Sequence, residues 1–441
     1  MRVAGRLIVE GGRPLTGRVY VSGAKNSAAT LLPATTLTDE PCFLRHVPAI
    51  SDTEVLLEIL QELGFQTQAR GQPEGPPGLG LEVDIRPPQQ EVTPQVPYSL
   101  AKRLRASILF LGPLLARFRQ ARVALPGGCD IGSRPIDLHL KGLAAMGAEI
   151  QIEHGFVHGE CQTLHGAEIY LDFPSVGATE NIMMAACLAE GQTILHNPAK
   201  EPEIVDLATF LNSMGAQVRG AGTDTIRISG ERNLHGAAHT VIPDRIEAGT
   251  WLLAAAATRG EVQVENVIAK HLEPVIAKMI ETGALVEARE ESIWVRGPER
   301  PRAVQVTTMP YPGFPTDLQP QFTAYLLRAV GTSVIHERVF ENRFGHVDEL
   351  KRLGASIKSD GRTAVVEGIV RLTGAPLVAS DLRMGAALLI GALMAEGRSV
   401  LDGVEHLLRG YEQPVAKLAG LGAQVQLVET EGELPVPTSL A

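Results

Sequence analysis

Leu125 to His139, LPGGCDIGSRPIDLH, contains residue types that no repeated structural role demands. Gly127, Gly128 and Gly132 make a flexible loop with Cys129 at its crest. An exposed thiol near Arg134 is placed to act as an acid or nucleophile, because a neighbouring cation favours the thiolate. A small residue filling a turn is the plain alternative. The other candidates are polar and charged residues gathered at the front ends of helical segments: Lys25-Asn26, Lys102 to Arg105, Thr179-Glu180-Asn181, Asp244-Arg245, Thr316-Asp317 and Asp381-Leu382-Arg383. A helix front end carries unpaired N–H groups and about half a positive charge, so it attracts anions. Structural readings compete here too. Lys25 can be a charged first turn, Lys102 to Arg105 a solvated helix face, and Asp317, behind Pro315-Thr316, an electrostatic cap.

The elements that must position these residues recur. Leu/Met/Ile-rich segments run into a glycine and then into alternating apolar residues around Gly64, Gly147, Gly215, Gly283, Gly354 and Gly422, at intervals of 83, 68, 68, 71 and 68 residues. Such regularity predicts one structural unit copied six times. In Glu203 to Val218, EIVDLATFLNSMGAQV, helical spacing runs to Met214, Gly215 can close the helix in the left-handed conformation, and the period then drops to two. Short β-type runs precede each such helix, among them Thr193 to Leu195, Val262 to Val264, Ser333 to Ile335 and Ser399 to Leu401. Other segments, Asn181 to Leu188, Thr250 to Thr258, Gln321 to Val330 and Gly385 to Ala395, are apolar on nearly every face, which predicts helices buried all round. They read as the cores of two three-unit domains.

At 441 residues and 44% apolar content the chain supports more than one core. The net charge of −10, with Lys and Arg dispersed, disfavours nucleic acid as a bulk partner. Cys42, Cys129, Cys161 and Cys187 are too scattered for a zinc knuckle or a disulfide framework, and the expected compartment is the reducing cytoplasm. No clustered His/Cys set or P-loop implies a metal or organic cofactor. Ala69 to Pro97, rich in Pro, Gly and Gln, reads as a surface linker, and the tail from Glu429 as frayed.

Ten blocks in order along the chain resemble the enolpyruvyl transferase family: SGAKN at Ser22, RLRAS at Arg103, GGCDIGSRPIDLH at Gly127, SVGATEN at Ser175, EPEIVD at Glu201, PDRIEAGT at Pro243, FPTDLQPQF at Phe314, FENRF at Phe340, SDLRMGAAL at Ser380 and RGYE at Arg409. The resemblance implies a two-domain inside-out α/β barrel with helices inside, sheets outside and a cleft between. Residues 1–22 and 243–441 would form one domain, and 23–242 the other. The implied reaction moves the enolpyruvyl group of phosphoenolpyruvate to the 3′-hydroxyl of UDP-N-acetylglucosamine, by addition and then elimination of phosphate, opening peptidoglycan synthesis.

Roles follow from the same resemblance. Lys25, Asn26, Arg134 and Arg409 would meet the donor's anionic groups, and Arg105 the nucleotide. Asp317 becomes the base for the sugar hydroxyl. Pro135, Ile136, Asp137, Leu138, Ser175, Val176 and Val339 would line the nucleotide-sugar pocket. Arg343 and Arg383 would be cleft cations, with ion pairs to Asp381 or Glu341 as the structural alternative. Phe173 and Leu408 depart from the family pattern. Cys129 would protonate the donor's methylene carbon from a closing lid. Small-molecule substrates are the only partners implied. A sister enzyme acting on shikimate 3-phosphate and a non-catalytic repeat scaffold such as a sliding clamp are the rival readings. The first lacks the cysteine loop, and the second has no need of cations at buried helix fronts.

A phosphonate epoxide of the fosfomycin type is expected to alkylate Cys129 stoichiometrically, with turnover kept in Cys129→Asp and mostly lost in Cys129→Ala. Peptide mapping that placed the label on Cys42, Cys161 or Cys187 would contradict this assignment.

Overall fold

The third unit shows how each copy is built. Strand Glu168–Tyr170 leads into the helix Val176–Ala186, strand Gln192–His196, helix Pro202–Ser213, and strands Gln217–Arg219 and Thr225–Ser229. The first two strands pair in parallel, as a helical crossover permits, and the remaining pairs are antiparallel. This computed structural model describes residues 5–71, 75–90, 92–125 and 136–429. Among the described residues the strands form six four-stranded sheets of this order.

Copying extends to individual side chains. Gln192–His196, Glu261–Glu265, Thr332–His336 and Arg398–Asp402 share one burial alternation, with second and fourth residues inward. All six unit-closing glycines have positive φ, from 83° at Gly422 to 97° at Gly215, so each ends its helix in the left-handed conformation. The helices Val176–Ala186, Arg245–Ala257, Gln319–Tyr325 and Leu382–Met394 are buried over most or all of their length. They have no solvent face, which accounts for sequence without an amphipathic stripe.

Buried side chains gather into two cores. One draws on residues between Ala24 and Val241, and the other on Leu7 to Val21 together with Ile246 to Leu421. Strand pairing shows where the chain crosses between them. Thr16–Tyr20 pairs with Glu261–Glu265, while Ala238–Thr240 pairs with Cys42–Val47. Gly5–Glu10 lies between Arg398–Asp402 and Gln424–Glu429, completing the sixth sheet. The chain thus passes between cores twice, and the crossings run side by side: the Ala24 amide donates to Ile242 at 2.7 Å and the Asp244 amide to Ser22 at 2.9 Å. A side chain at Gly23 would fall 1.8 Å from the His46 carbonyl oxygen, so only glycine fits there.

The linker reading of Ala69 to Pro97 is corrected. Within it, Leu81–Arg86 is an inner strand of the first sheet, with Val83 and Ile85 buried between two paired neighbours. Its proline-rich flanks hid a five-residue period-two run. Glu429 ends the strand Gln424–Glu429, and the tail beyond it lies outside the described residues. No helix of the described residues is long and apolar enough to cross a membrane.

Beside the crossing, buried Lys417 pairs with Glu247 and donates to the Ser22 hydroxyl at 2.7 Å, while Glu247 also accepts from the Ser22 amide and the Trp251 indole. Removing one partner strands a buried charge. Lys417→Met is expected to cost about 3–5 kcal/mol in denaturant unfolding, and a loss below about 1 kcal/mol would rank the pair with surface ion pairs.

Candidate active site

Front ends of buried helices from both cores meet at Asp244. Its Oδ1 accepts from the amides of Ile246 and Glu247, at 2.8 and 3.0 Å, capping the helix Arg245–Ala257. Its Oδ2 accepts from the Lys25 amide at 3.1 Å, the first residue of the helix Lys25–Ala34 in the other core. One carboxylate therefore serves two helix N-termini.

A second carboxylate, Asp52, joins the cores through side chains. Lys25 Nζ stands 2.9 Å from its Oδ2, and Arg409 Nε donates to its Oδ1 at 2.9 Å. Burial pushes this carboxyl upward, but the Lys25 and Arg409 charges outweigh it and hold the group below its ordinary value. Nearby, Glu412 accepts from the amides of Ala49 and Gly80, so the RGYE segment is tied to the opposite core. Asn26 is half-buried, and among the described residues its side chain has no hydrogen-bond partner.

Asp317 sits in the short turn Thr316–Leu318. The Arg343 guanidinium donates to its Oδ1 at 2.8 Å and Arg383 to its Oδ2 at 2.9 Å. Both arginines are almost fully buried, while the carboxylate is 26% exposed, so it is the open end of the clamp. Burial alone would lower the Arg383 guanidinium, but Asp317 and its other acidic neighbours raise it. Arg245 lies within the same field. Burial opposes its charge, and Glu203, Glu201 and Asp317 outweigh burial. Its Nε is 3.4 Å from Glu203, and burial, compounded by Glu203 and Glu201, pushes Glu180 up to about 8.

The third group surrounds His139. Burial and then the charge of Arg105 lower this imidazole to about 4, so it is neutral, and its Nδ1 lies 3.0 Å from the Asn181 amide. Ile136 precedes the helix Asp137–Ala145 that carries it, with Leu138 half-buried and Asp137 exposed. Ser175 caps the helix Val176–Ala186, and a side chain at Gly177 would touch His139. Arg105, Ile136, Leu138, Ser175 and Val176 thus belong to one neighbourhood, and Phe173 is exposed at its edge.

A profile of the EPSP synthase (3-phosphoshikimate 1-carboxyvinyltransferase) family matches residues 9–418. The chain belongs to this enolpyruvyl transferase family. It is 50% identical to UDP-N-acetylglucosamine 1-carboxyvinyltransferase 1 of Carboxydothermus hydrogenoformans, over 97% of this chain and 99% of that protein. Identity is 51% to UDP-N-acetylglucosamine 1-carboxyvinyltransferase 2 of Bacillus anthracis, over 95% and 96%. The enolpyruvyl transferase NikO from Streptomyces tendae superposes with a TM-score of 0.86 at 28% identity, covering 97% of this chain and 100% of that one. An EPSP synthase from Acinetobacter baumannii shares the fold alone, with a TM-score of 0.73 at 19% identity over 96% of this chain and all of that one.

The enolpyruvyl transferase fold places the expected residues unevenly. Lys25 and Arg409 meet at Asp52, and Asp317, Arg343 and Arg383 meet directly. Cys129, Arg134 and Pro135 lie outside the described residues. The structural alternative for Arg343 and Arg383 is corrected: Asp381 caps the helix Leu382–Met394, and Glu341 pairs with Arg362 at the surface. Asp317 does stand in the first turn of Thr316–Leu318, as the capping alternative expects, and its carboxylate is also held by both arginines. Asp52 was not singled out by the sequence, and Asp244 and Arg245 stood out only as a polar helix front end with no role assigned. Each sits in the first turn or cap of a helix, where an acid or a charge is ordinary, and only the partner across the crossing distinguishes it.

Asp52→Asn leaves two cations without their shared anion and is expected to lower stability by about 1–3 kcal/mol at pH 7. Because the folded carboxyl lies below its ordinary 3.8, its contribution is complete above that value and vanishes as pH falls through the depressed one. Wild type and variant should therefore converge in acid unfolding series, and a gap independent of pH would contradict the electrostatic origin.

Proposed function

We propose that this protein transfers the enolpyruvyl group of phosphoenolpyruvate to the 3′-hydroxyl of UDP-N-acetylglucosamine, the first committed step of peptidoglycan synthesis. The observation that carries the reading is full-length identity near 50% to proteins named for that transfer, on a chain whose helix fronts and buried cations converge between two cores. Both substrates are anions, and such a seam attracts them inside a chain of net charge −10.

The residues divide the work by position. Lys25, Asn26 and Arg409 receive the donor's carboxylate and phosphate, joined by Arg134. The charge of Asp52 keeps Lys25 and Arg409 paired until an incoming anion competes for them. Asp317, held by the Arg343 and Arg383 guanidinium groups, accepts the proton of the sugar hydroxyl. The freed oxygen bonds to C2 of phosphoenolpyruvate while Cys129 protonates C3, giving a tetrahedral ketal. Loss of a C3 proton and cleavage of the C2–O bond to phosphate restore the double bond. Arg105, Ile136, Asp137, Leu138, Ser175, Val176 and Val339, with Pro135, shape the nucleotide-sugar side. The proposed site of the activity is the cytoplasm, in keeping with four scattered cysteines that suit a reducing compartment.

Inorganic phosphate should appear only when phosphoenolpyruvate and UDP-N-acetylglucosamine are both present, with Asp317→Asn slowing release by roughly 100-fold or more. Release with shikimate 3-phosphate in place of the nucleotide sugar would move the chain to the sister activity, and no release with either acceptor would leave a scaffold.

A further inference from the structure

The geometry points to Glu337 as a positioning residue that sets Asp317 from behind. Glu337 follows the strand Thr332–His336 and is 1% exposed. Its Oε1 accepts from the Thr308 hydroxyl at 2.7 Å, the Val339 amide at 2.8 Å and the Phe340 amide at 3.2 Å. Its Oε2 accepts from the Thr316 hydroxyl at 3.0 Å. Thr308 accepts in turn from the Arg338 amide, so the segment from Arg338 to Phe340 is wound around this one carboxylate.

Two routes lead from Glu337 to Asp317. The short route is Thr316, whose hydroxyl Glu337 holds and whose neighbour in the chain is Asp317. The longer route runs through Phe340: Glu337 fixes its amide, the Arg343 guanidinium lies 5.5 Å from its ring centroid, and Arg343 holds Asp317 Oδ1. A closed ring therefore joins the turn carrying the carboxylate to the loop carrying its clamp, and Val339, on the acceptor side, is part of it. Tolerances of this size matter for transfer chemistry, since a displacement near 1 Å can cost about 100-fold. The inference rests on the reading of Asp317 as the acceptor's base.

The ring can be opened at Glu337 and at Thr316 without altering the Asp317 carboxylate itself. In Glu337→Ala both routes are lost. In Glu337→Gln the carbonyl oxygen can keep the two amides, and the amide nitrogen faces Thr316, whose hydroxyl turns to accept. Thr316→Val cuts the short route alone. Steady-state kinetics and thermal unfolding on the full chain are expected to show kcat reduced roughly 10- to 100-fold in Glu337→Ala and about 10-fold in Thr316→Val. The KM for phosphoenolpyruvate should stay within about 2-fold in Thr316→Val and Glu337→Gln, with Glu337→Gln restoring most of kcat. The acidic limb of kcat/KM for the nucleotide sugar should move in Glu337→Ala and not in Glu337→Gln. Wild-type kcat and an unmoved acidic limb in Thr316→Val and Glu337→Ala, in an enzyme that Asp317→Asn inactivates, would overturn the role of Glu337 and leave the base intact. Equal damage from Glu337→Gln and Glu337→Ala, in step with lost thermal stability, would overturn it as well. Full activity in Asp317→Asn would remove the base reading and this inference together.

Discussion

Buried helices leave amide groups unpaired at their front ends, and in this fold those ends from two cores face one another. The structure depends on how that accumulation of positive potential is met. Asp244 meets it once for both cores, capping its own helix and taking the Lys25 amide of the other. Asp52 and Asp317 then neutralise the cations that line the same seam. The two hydrophobic cores stay separate, and charged groups join them at this seam.

The acidic side of the seam is graded. Asp52, between two cations, is held in its charged form, whereas Glu180, deep among other carboxylates, is pushed up to about 8 and is mostly protonated near neutrality. Arg245 keeps its charge despite being largely buried because Glu203, Glu201 and Asp317 outweigh the burial. Within one small region, burial and neighbours decide which carboxyl groups are ionised, and residue type alone does not.

Much of this organisation was legible in the sequence, and for physical reasons. Six glycines with left-handed backbone reported six helix ends, and helices without a polar face could only be interior. Polar residues at their front ends marked the seam before any partner was known. The resemblance carried by the ten motif blocks supplied the roles proposed for Lys25, Asp317 and Arg409. What stayed hidden was pairing across long separations. Asp52 and Arg409 stand 357 residues apart and Lys25 and Asp244 219 apart, and neither member of such a pair announces the other. Leu81–Arg86 was missed because proline and glycine around it outweighed a short alternating run. Glu337 drew no notice in the sequence, because nothing local shows that four donors converge on it.

Strand Gly5–Glu10 has a consequence for biosynthesis. Its partners on either side, Arg398–Asp402 and Gln424–Glu429, are the last of the described strands to leave the ribosome, while Thr16–Tyr20 waits for Glu261–Glu265. The first core can assemble around residues 24 to 241 while Leu7, Val9, Leu15 and Val19, destined for the interior, remain without their hosts. Synthesis near 5–20 residues per second leaves that greasy leader uncovered for tens of seconds, a natural grip for a holdase chaperone.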